Sequence, residues 1–539
     1  MKKLVKILLV LFVAGSLFSS CDMDRFPENS IIVQEALLTI EDARNWDNGI
    51  MTFFRGRQYG IFSFSQDLQV DYFNALAGFG NRGGMVHSWL FTSTDVTIRD
   101  VWFGYYRALL NINHFINSMP EFIEDGRYVV FYADGRTVNE TATNANRTEL
   151  DRLIGNAHLA RAFYYHQLAL RWSRPFNPAT AATELSVPLV LEFDTNYRPA
   201  RATLQQVYGQ ILNDIAIART RLAGVPGTPR AARFNIDIVN ALEARVRLHM
   251  QDWDEAYRLA NLLITPGLYP LETTAAGMER LWITDNSNEV IMQSPISAPA
   301  ELPASGNALG TANIFTNMWP FVGRQPGGEF RPDFAPTQWV IDKFAANDLR
   351  RAVYFTQGTI SVEGVIVPDA YVMTKFRGNP AIPGSQTGSP GAQVAAHNAH
   401  APKVFRVAEM YLIAAEAAVM SAAIPDAQGL ARLNDLKTAR GLDPLPAGTS
   451  GTVLRDAIRE ERGRELAFEG FRLWDLRRWG VEMNLRIPQP NVAIILAGGT
   501  GFGPTFRPEQ SILTGDKAVW GLPSQDITVN PNLIQNPGW

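Results

Sequence analysis

Residues 234–265 read FNIDIVNALEARVRLHMQDWDEAYRLANLLIT, and this stretch decides the fold class. Val239, Leu242, Val246 and Met250 recur at the spacing of one helical face, and Trp253, Ala256, Tyr257, Ala260 and Leu263 do so again. Asp252 with Glu255 three residues on predicts a capping-box-like start for the second helix, and Pro266-Gly267 predicts its end. A turn this tight forces the two helices to pack antiparallel as a helical hairpin.

The same periodicity extends outward. Leu150, Leu153, Ile154, Ala157, Ala160, Tyr164 and Leu168 line one face of a long helix, with Arg171 and Arg174 at its C-terminal end and Pro175 as its stop. Thr203 to Leu222 repeats the pattern through Val207, Ile211, Ile215 and Ala218. Toward the C-terminus, Phe405, Ala408, Leu412, Ala415 and Val419 form one stripe and Leu430, Leu433 and Leu436 another, with Gly441 as a C-cap. Helix pairs of this size, with small residues at their crossings, resemble tetratricopeptide units, although no clean sequence repeat links them. Between the helical blocks, residues 295–402 hold 12 of the 32 prolines together with Gly306, Gly310, Gly323, Gly327 and Gly328. That density excludes long helices and predicts a loop-rich, partly β insert displayed by a rigid helical scaffold.

Of 539 residues, 46% are hydrophobic and 19% charged, which excludes wholesale disorder. The length alone accommodates several average domains or one large helical one. A net charge of -4 from 49 basic and 53 acidic residues gives no pull toward nucleic acid. The single cysteine, Cys21, excludes an intramolecular disulfide and a Cys-based zinc site. It follows a positive segment (Lys2, Lys3, Lys6), an apolar run from Ile7 to Ala14 and small residues Ser19-Ser20, the pattern of a cleaved secretory signal over residues 1–20. Phe18-Ser19-Ser20-Cys21 resembles a lipobox, so Cys21 is expected to carry lipid and to anchor residues 21–539 to a membrane without spanning it.

Arg455 to Glu465 is the densest charged segment. Asp456–Arg459, Glu460–Arg464 and Glu461–Arg464 are helix neighbours of opposite sign. A catalytic reading takes Glu465 and Glu469 as an acid/base pair. A structural reading takes Arg464, Glu465, Glu469, Arg472, Trp474, Asp475 and Arg477 as partly buried ion pairs and aromatic anchors, and the interleaved aromatics favour it.

Arg464 to Gly470, followed by Arg472 and Trp474-Asp475-Leu476-Arg477-Arg478, resembles the signature of the SusD/RagB family of surface glycan-binding lipoproteins. Trp520-Gly521-Leu522-Pro523 and Asn530 to Trp539 resemble its closing motif, and Arg406 to Ala417 resembles its R-x-A-E-x-Y-L helix. Ala160 to Tyr165, Gly267 to Leu271 and Asp348-Leu349-Arg350-Arg351 also fit, in order along the chain. The resemblance implies a mainly α fold, a right-handed superhelix of about four tetratricopeptide-like helix pairs, with an α/α toroid as the alternative. Its scaffold would occupy about 31–272 and 404–480, the ligand-displaying insert about 273–403 and an irregular C-terminal segment 481–539. It further implies a non-catalytic lipoprotein on the outer membrane, facing the cell exterior. Such a protein captures oligosaccharides, or peptides, and passes them to a SusC-type TonB-dependent transporter. No cofactor and no metal are implied.

The ligand site has to be argued from chemistry, because a sugar needs exposed aromatics flanked by polar side chains. Asn74 to Phe91 offers Phe79, Arg82 and Trp89; Asn313 to Phe334 offers Phe315, Asn317, Trp319 and Arg324. Trp102, Trp172, Trp253 and Trp474 fall on helix faces and read as core. His397 and His400 lie too isolated to make a metal pair, and Gly78 to Gly84 lacks the Gly-Lys-Ser/Thr ending of a phosphate loop. A helical glycoside hydrolase would need two carboxylates about 5–10 Å apart in a cleft, and a tetratricopeptide-type scaffold would bind protein alone. These two are the competing functional readings.

Overall fold

The computed structural model describes residues 37, 40–58, 60–78, 83–124, 127–131, 137–141, 144–194, 196–296, 329–382, 400–499 and 516–539. Its longer helices are α1 (Ile40–Gly56), α2 (Val96–Glu124), α3 (Asn144–Trp172), α4 (Leu204–Arg221), α5 (Ile236–Met250), α6 (Trp253–Ile264), α7 (Ala275–Trp282), α8 (Val407–Met420), α9 (Asp426–Ala439), α10 (Gly451–Glu465) and α11 (Arg472–Trp479). The fold is mainly α, as the periodicities predict.

The strands are β1 (Phe73–Ala75), β2 (Arg127–Phe131), β3 (Thr137–Thr141), β4 (Val290–Gln293), β5 (Phe334–Pro336), β6 (Phe355–Val362), β7 (Val365–Met373) and β8 (Lys403–Arg406). They pair antiparallel, two by two: β1 with β5, β2 with β3, β4 with β8 and β6 with β7.

The deciding hairpin is α5 and α6. Asn235 caps α5, its side-chain oxygen accepting the N–H groups of Asp237 at 3.0 Å and Ile238 at 3.1 Å. Gln251 turns the chain in the left-handed region, with φ 62°. The expected capping box at Asp252 does not form: no side-chain cap bond is present there. Two arginines take its members instead. Arg247 donates to Asp252 at 2.8 Å, and Arg258 donates to Glu255 at 2.7 and 2.6 Å. A reciprocal capping box stands on α4, where Thr203 accepts from the Gln206 N–H and Gln206 accepts from the Thr203 N–H.

α3 packs along α4, α5 along α6, and α8 lies against α6, α9 and α10. α8 is buried on nearly every side, from Val407 to Ala418, which is why its sequence is apolar all round rather than striped. Its contact with α9 is close enough that a Cβ on Gly429 would meet the Ala415 carbonyl oxygen at 2.8 Å.

The insert leaves and rejoins the scaffold at one place, because β4 just before it pairs with β8 just after it. Within it, β6 and β7 form a hairpin around Glu363-Gly364, both at positive φ, the twist two-residue hairpin turns favour. This hairpin builds a separate small core of Leu76, Phe330, Ile360, Val362, Val367, Val372, Val492 and Ile495.

Candidate functional site

The charged motif closes a buried ion network rather than a catalytic pair. Glu465, at the end of α10, accepts from Arg350 at 2.8 Å, Arg406 at 2.8 Å and Arg440 at 2.9 Å through both nitrogens. Arg350 also holds Asp348 and Glu461, Arg406 holds Glu289 and Glu469, and Arg440 reaches Glu289 at 2.7 Å. Lys375 donates to Glu469 at 2.7 Å while its ammonium lies 4.0 Å from both the Trp282 and Tyr354 ring centres. Burial pushes the Glu465 carboxyl up, but Arg440 and Arg406 outweigh it and hold it well below the usual carboxylate range. A carboxylate so saturated can neither donate a proton near neutral pH nor approach a substrate.

The rest of the motif anchors the neighbouring elements. Arg472 pairs with buried Asp71 at 2.9 Å and lies over the Trp339 ring at 5.0 Å. Arg462 donates to Asp475 at 2.7 Å, and Arg477 donates to the Leu170 and Ser173 carbonyls at the end of α3, both at 2.5 Å. Trp474 is buried against the Arg171 and Arg477 guanidinium groups. Arg464 pairs with Glu461 at 3.0 Å but not with Glu460, which bonds Lys343 at 3.1 Å instead.

Two concavities among the described residues bear on binding. One is a groove of about 370 Å³ between α10, α11 and the short helix Gln338–Asp342 that carries Trp339. Half-buried Trp339 and Trp479 stand in its walls, with Lys343, Arg459, Glu460 and Asn484 among its polar groups. Tyr72 stacks on Trp339 at 6.3 Å, and Glu416 fixes the Trp479 indole N–H at 2.6 Å. The other is a chamber of about 110 Å³ bounded by the end of α1, by α3, α5 and α7, and by the turn before α11.

Of the residues expected to meet ligand, Trp89 is corrected. It is 5% exposed, and its indole N–H donates to the Gln69 carbonyl at 2.7 Å, so it presents no face to solvent. A carbonyl twenty positions away satisfies its one polar atom, which lets the ring join the core. Phe79, Arg82, Phe315, Asn317, Trp319 and Arg324 lie outside the described residues, as does Cys21. His400 is buried and stacked on Phe376 at 5.0 Å. Trp102, Trp172 and Trp474 are buried, and Trp253 packs against the core from a partly buried position. Sequence reasoning missed Glu289 and Arg440 in the network and Trp339 in the groove. Glu289 carried a faint signal, an acid immediately before the apolar run Val290-Ile291-Met292.

A model described as the SusD family matches residues 368–539, and one described as starch-binding associating with outer membrane matches residues 135–248. The chain belongs to the SusD/RagB family. A SusD-like protein of Formosa agariphila is 22% identical over 570 residues, covering 99% of each chain. The crystal structure of a SusD superfamily protein from Bacteroides thetaiotaomicron aligns with a TM-score of 0.71 at 20% identity, over 93% of this chain and 100% of the other. A laminarin binding SusD-like protein aligns with a TM-score of 0.64 at 19% identity, again over 93% and 100%. The SusD/RagB match contains Arg406, Arg440, Glu461, Glu465 and Glu469, whereas Glu289 and Arg350 fall between the two matched segments. Among the described residues, no helix is long and apolar enough to cross a membrane.

Proposed function

We propose that this SusD/RagB protein is a non-catalytic, lipid-anchored receptor. In this reading it captures oligosaccharides at the outer membrane, facing outward, and delivers them to a SusC-type TonB-dependent transporter. Family matches over residues 135–248 and 368–539 carry the reading, the first of them described as starch-binding associating with outer membrane. The laminarin binding relative of the same fold supports a glycan over a protein ligand. The chemistry agrees: the motif carboxylates are neutralised by arginines, and the groove of Trp339 and Trp479 offers indoles with a polar rim, which suits the apolar faces and hydroxyls of a sugar ring.

Trp319, with Phe79, Arg82, Phe315, Asn317 and Arg324, is the proposed capture surface, and Cys21 the proposed lipid attachment. Isothermal titration of the full-length chain against a panel of neutral glucans and peptides tests this. Binding without product, abolished by Trp319→Ala while the circular dichroism is unchanged, is the expected result. Release of shortened saccharides in the same incubations would overturn it.

A further inference from the structure

The chamber has a charge its own protein does not balance. Arg57 lines it and is 8% exposed. Its Nε donates to the Gly104 carbonyl at 2.7 Å and one terminal nitrogen to the Phe53 carbonyl at 3.0 Å. Among the described residues no carboxylate pairs with it, and a second cation, Arg107, acts on it. Burial pushes its guanidinium down accordingly. The other ionic groups of the wall are closed. Arg245 is bidentate to Glu409 at 2.7 and 2.6 Å, Lys403 is paired with Asp285 at 2.6 Å, and Glu469, the carboxylate in the lining, is held by Arg406 and Lys375. Behind Gln66 and Gln167, which also line the chamber, fully buried Arg171 bonds only carbonyl and amide oxygens.

A second, independent sign is on the α7 wall. Among the described residues, the indole N–H of Trp282, a residue 1% exposed, has no acceptor. A buried donor left unmade destabilises the fold, and an uncompensated buried charge does so more strongly. Both ask for an oxygen-bearing group from outside the chain. Phe163, Phe468 and Trp474 give it an aromatic floor, beside the polar groups of Gln58, Ser63, His249 and His400. At about 10–15 Å³ of such volume per water, 110 Å³ holds roughly seven to eleven waters, which fits one monosaccharide-sized ligand.

We propose that this chamber binds an acidic sugar unit, with its carboxylate on Arg57, a ring oxygen or hydroxyl on the Trp282 N–H, and its apolar face on the aromatic floor. The saccharide part of this assignment rests on the capture reading above; the anion part rests on the chamber alone.

Titration calorimetry of the full-length chain with sodium glucuronate, glucose and sodium acetate tests it. Glucuronate is expected to bind at least tenfold more tightly than either of the others. Arg57→Gln should weaken it about tenfold or more, Arg57→Lys less, and Trp282→Phe severalfold. Glucose matching glucuronate would overturn the anion, acetate matching it would overturn the sugar, and an unchanged affinity in Arg57→Gln would overturn the site. Should Arg57→Gln fail to fold, the native comparison and Trp282→Phe decide. Neutral glucan binding that survives in Arg57→Gln, with no glucuronate binding by the native chain, would sink the chamber and leave the capture reading standing.

Discussion

Glu465 is where single-residue energetics are largest. Its carboxylate takes four charge-assisted bonds from Arg350, Arg406 and Arg440. Glu465→Gln therefore leaves buried guanidinium charge uncompensated, and breaking such a pair costs about 3–5 kcal/mol. Glu460→Gln, which breaks only the half-exposed pair to Lys343, should cost less than about 1 kcal/mol. Urea unfolding of the two variants measures the difference. The pH dependence has a definite sign. The folded-state pKa of Glu465 is depressed, so its contribution is present above the unfolded-state value of about 4.3 and is lost as pH falls through the folded value. Glu465→Gln should accordingly flatten the acid limb of the stability curve below about pH 4, and equal acid limbs would contradict the network's electrostatic role. The sequence exposed half of this site. Arg464, Glu465 and Glu469 stood out because charges alternate there with aromatics, whereas Glu289 and Arg440 reach the same point from 176 and 25 positions away, a closeness only the tertiary fold creates. Trp89 failed for the complementary reason. A glycine-rich neighbourhood signals irregular backbone, not exposure, and nothing local reveals that the Gln69 carbonyl waits for its N–H.

At the scale of elements, the helices were legible because periodicity is a local property, while caps depended on competition between neighbours. Asp252 has capping chemistry, but Arg247 one turn earlier takes its carboxylate. Thr203 and Gln206 have no such competitor and form the box, so Thr203→Ala should destabilise by about 1 kcal/mol. Glycine illustrates how packing reverses propensity. In an open helix, Gly→Ala stabilises by about 0.5–1 kcal/mol. Gly209 on α4 has nothing within 4 Å of its would-be Cβ, so Gly209→Ala should raise stability by that amount. Gly429 on α9 faces the Ala415 carbonyl oxygen at 2.8 Å, and a backbone atom cannot step aside as a side chain would. Gly429→Ala should therefore cost about 1–3 kcal/mol, the range for overpacking, despite the better helix former. Thermal melts of both variants, read at 222 nm, should shift in opposite directions; shifts of the same sign would mean that α8 and α9 can slide apart without penalty.

For the molecule as a whole, the length of 539 residues left open several domains or one. The C-terminal segment argues for a single cooperative unit, because it closes onto the N-terminal helices. Trp520 is fully buried, donates its indole N–H to Gln69 at 2.8 Å and sits edge-on to Trp172 at 5.6 Å. Trp172 donates its own indole N–H to the Gly521 carbonyl at 2.8 Å, and Asn536 donates to the carbonyls of Trp172 and Trp520 at 3.0 and 2.7 Å. Arg201 reaches the Ile534 carbonyl at 2.9 Å from between α3 and α4. A chain ending before residue 516 would expose the Trp172 ring and leave these donors and acceptors unmatched inside the first helical block, each costing about 1–3 kcal/mol. Their sum approaches the 5–15 kcal/mol that holds a typical domain folded. Removal of residues 516–539 should thus destabilise the molecule globally. The intact chain should unfold in one transition, with tryptophan fluorescence and far-ultraviolet circular dichroism following the same denaturant curve. Two separated transitions, or a truncated chain that melts within a few degrees of the full one, would show that the helical blocks fold independently and that the closing segment merely decorates them.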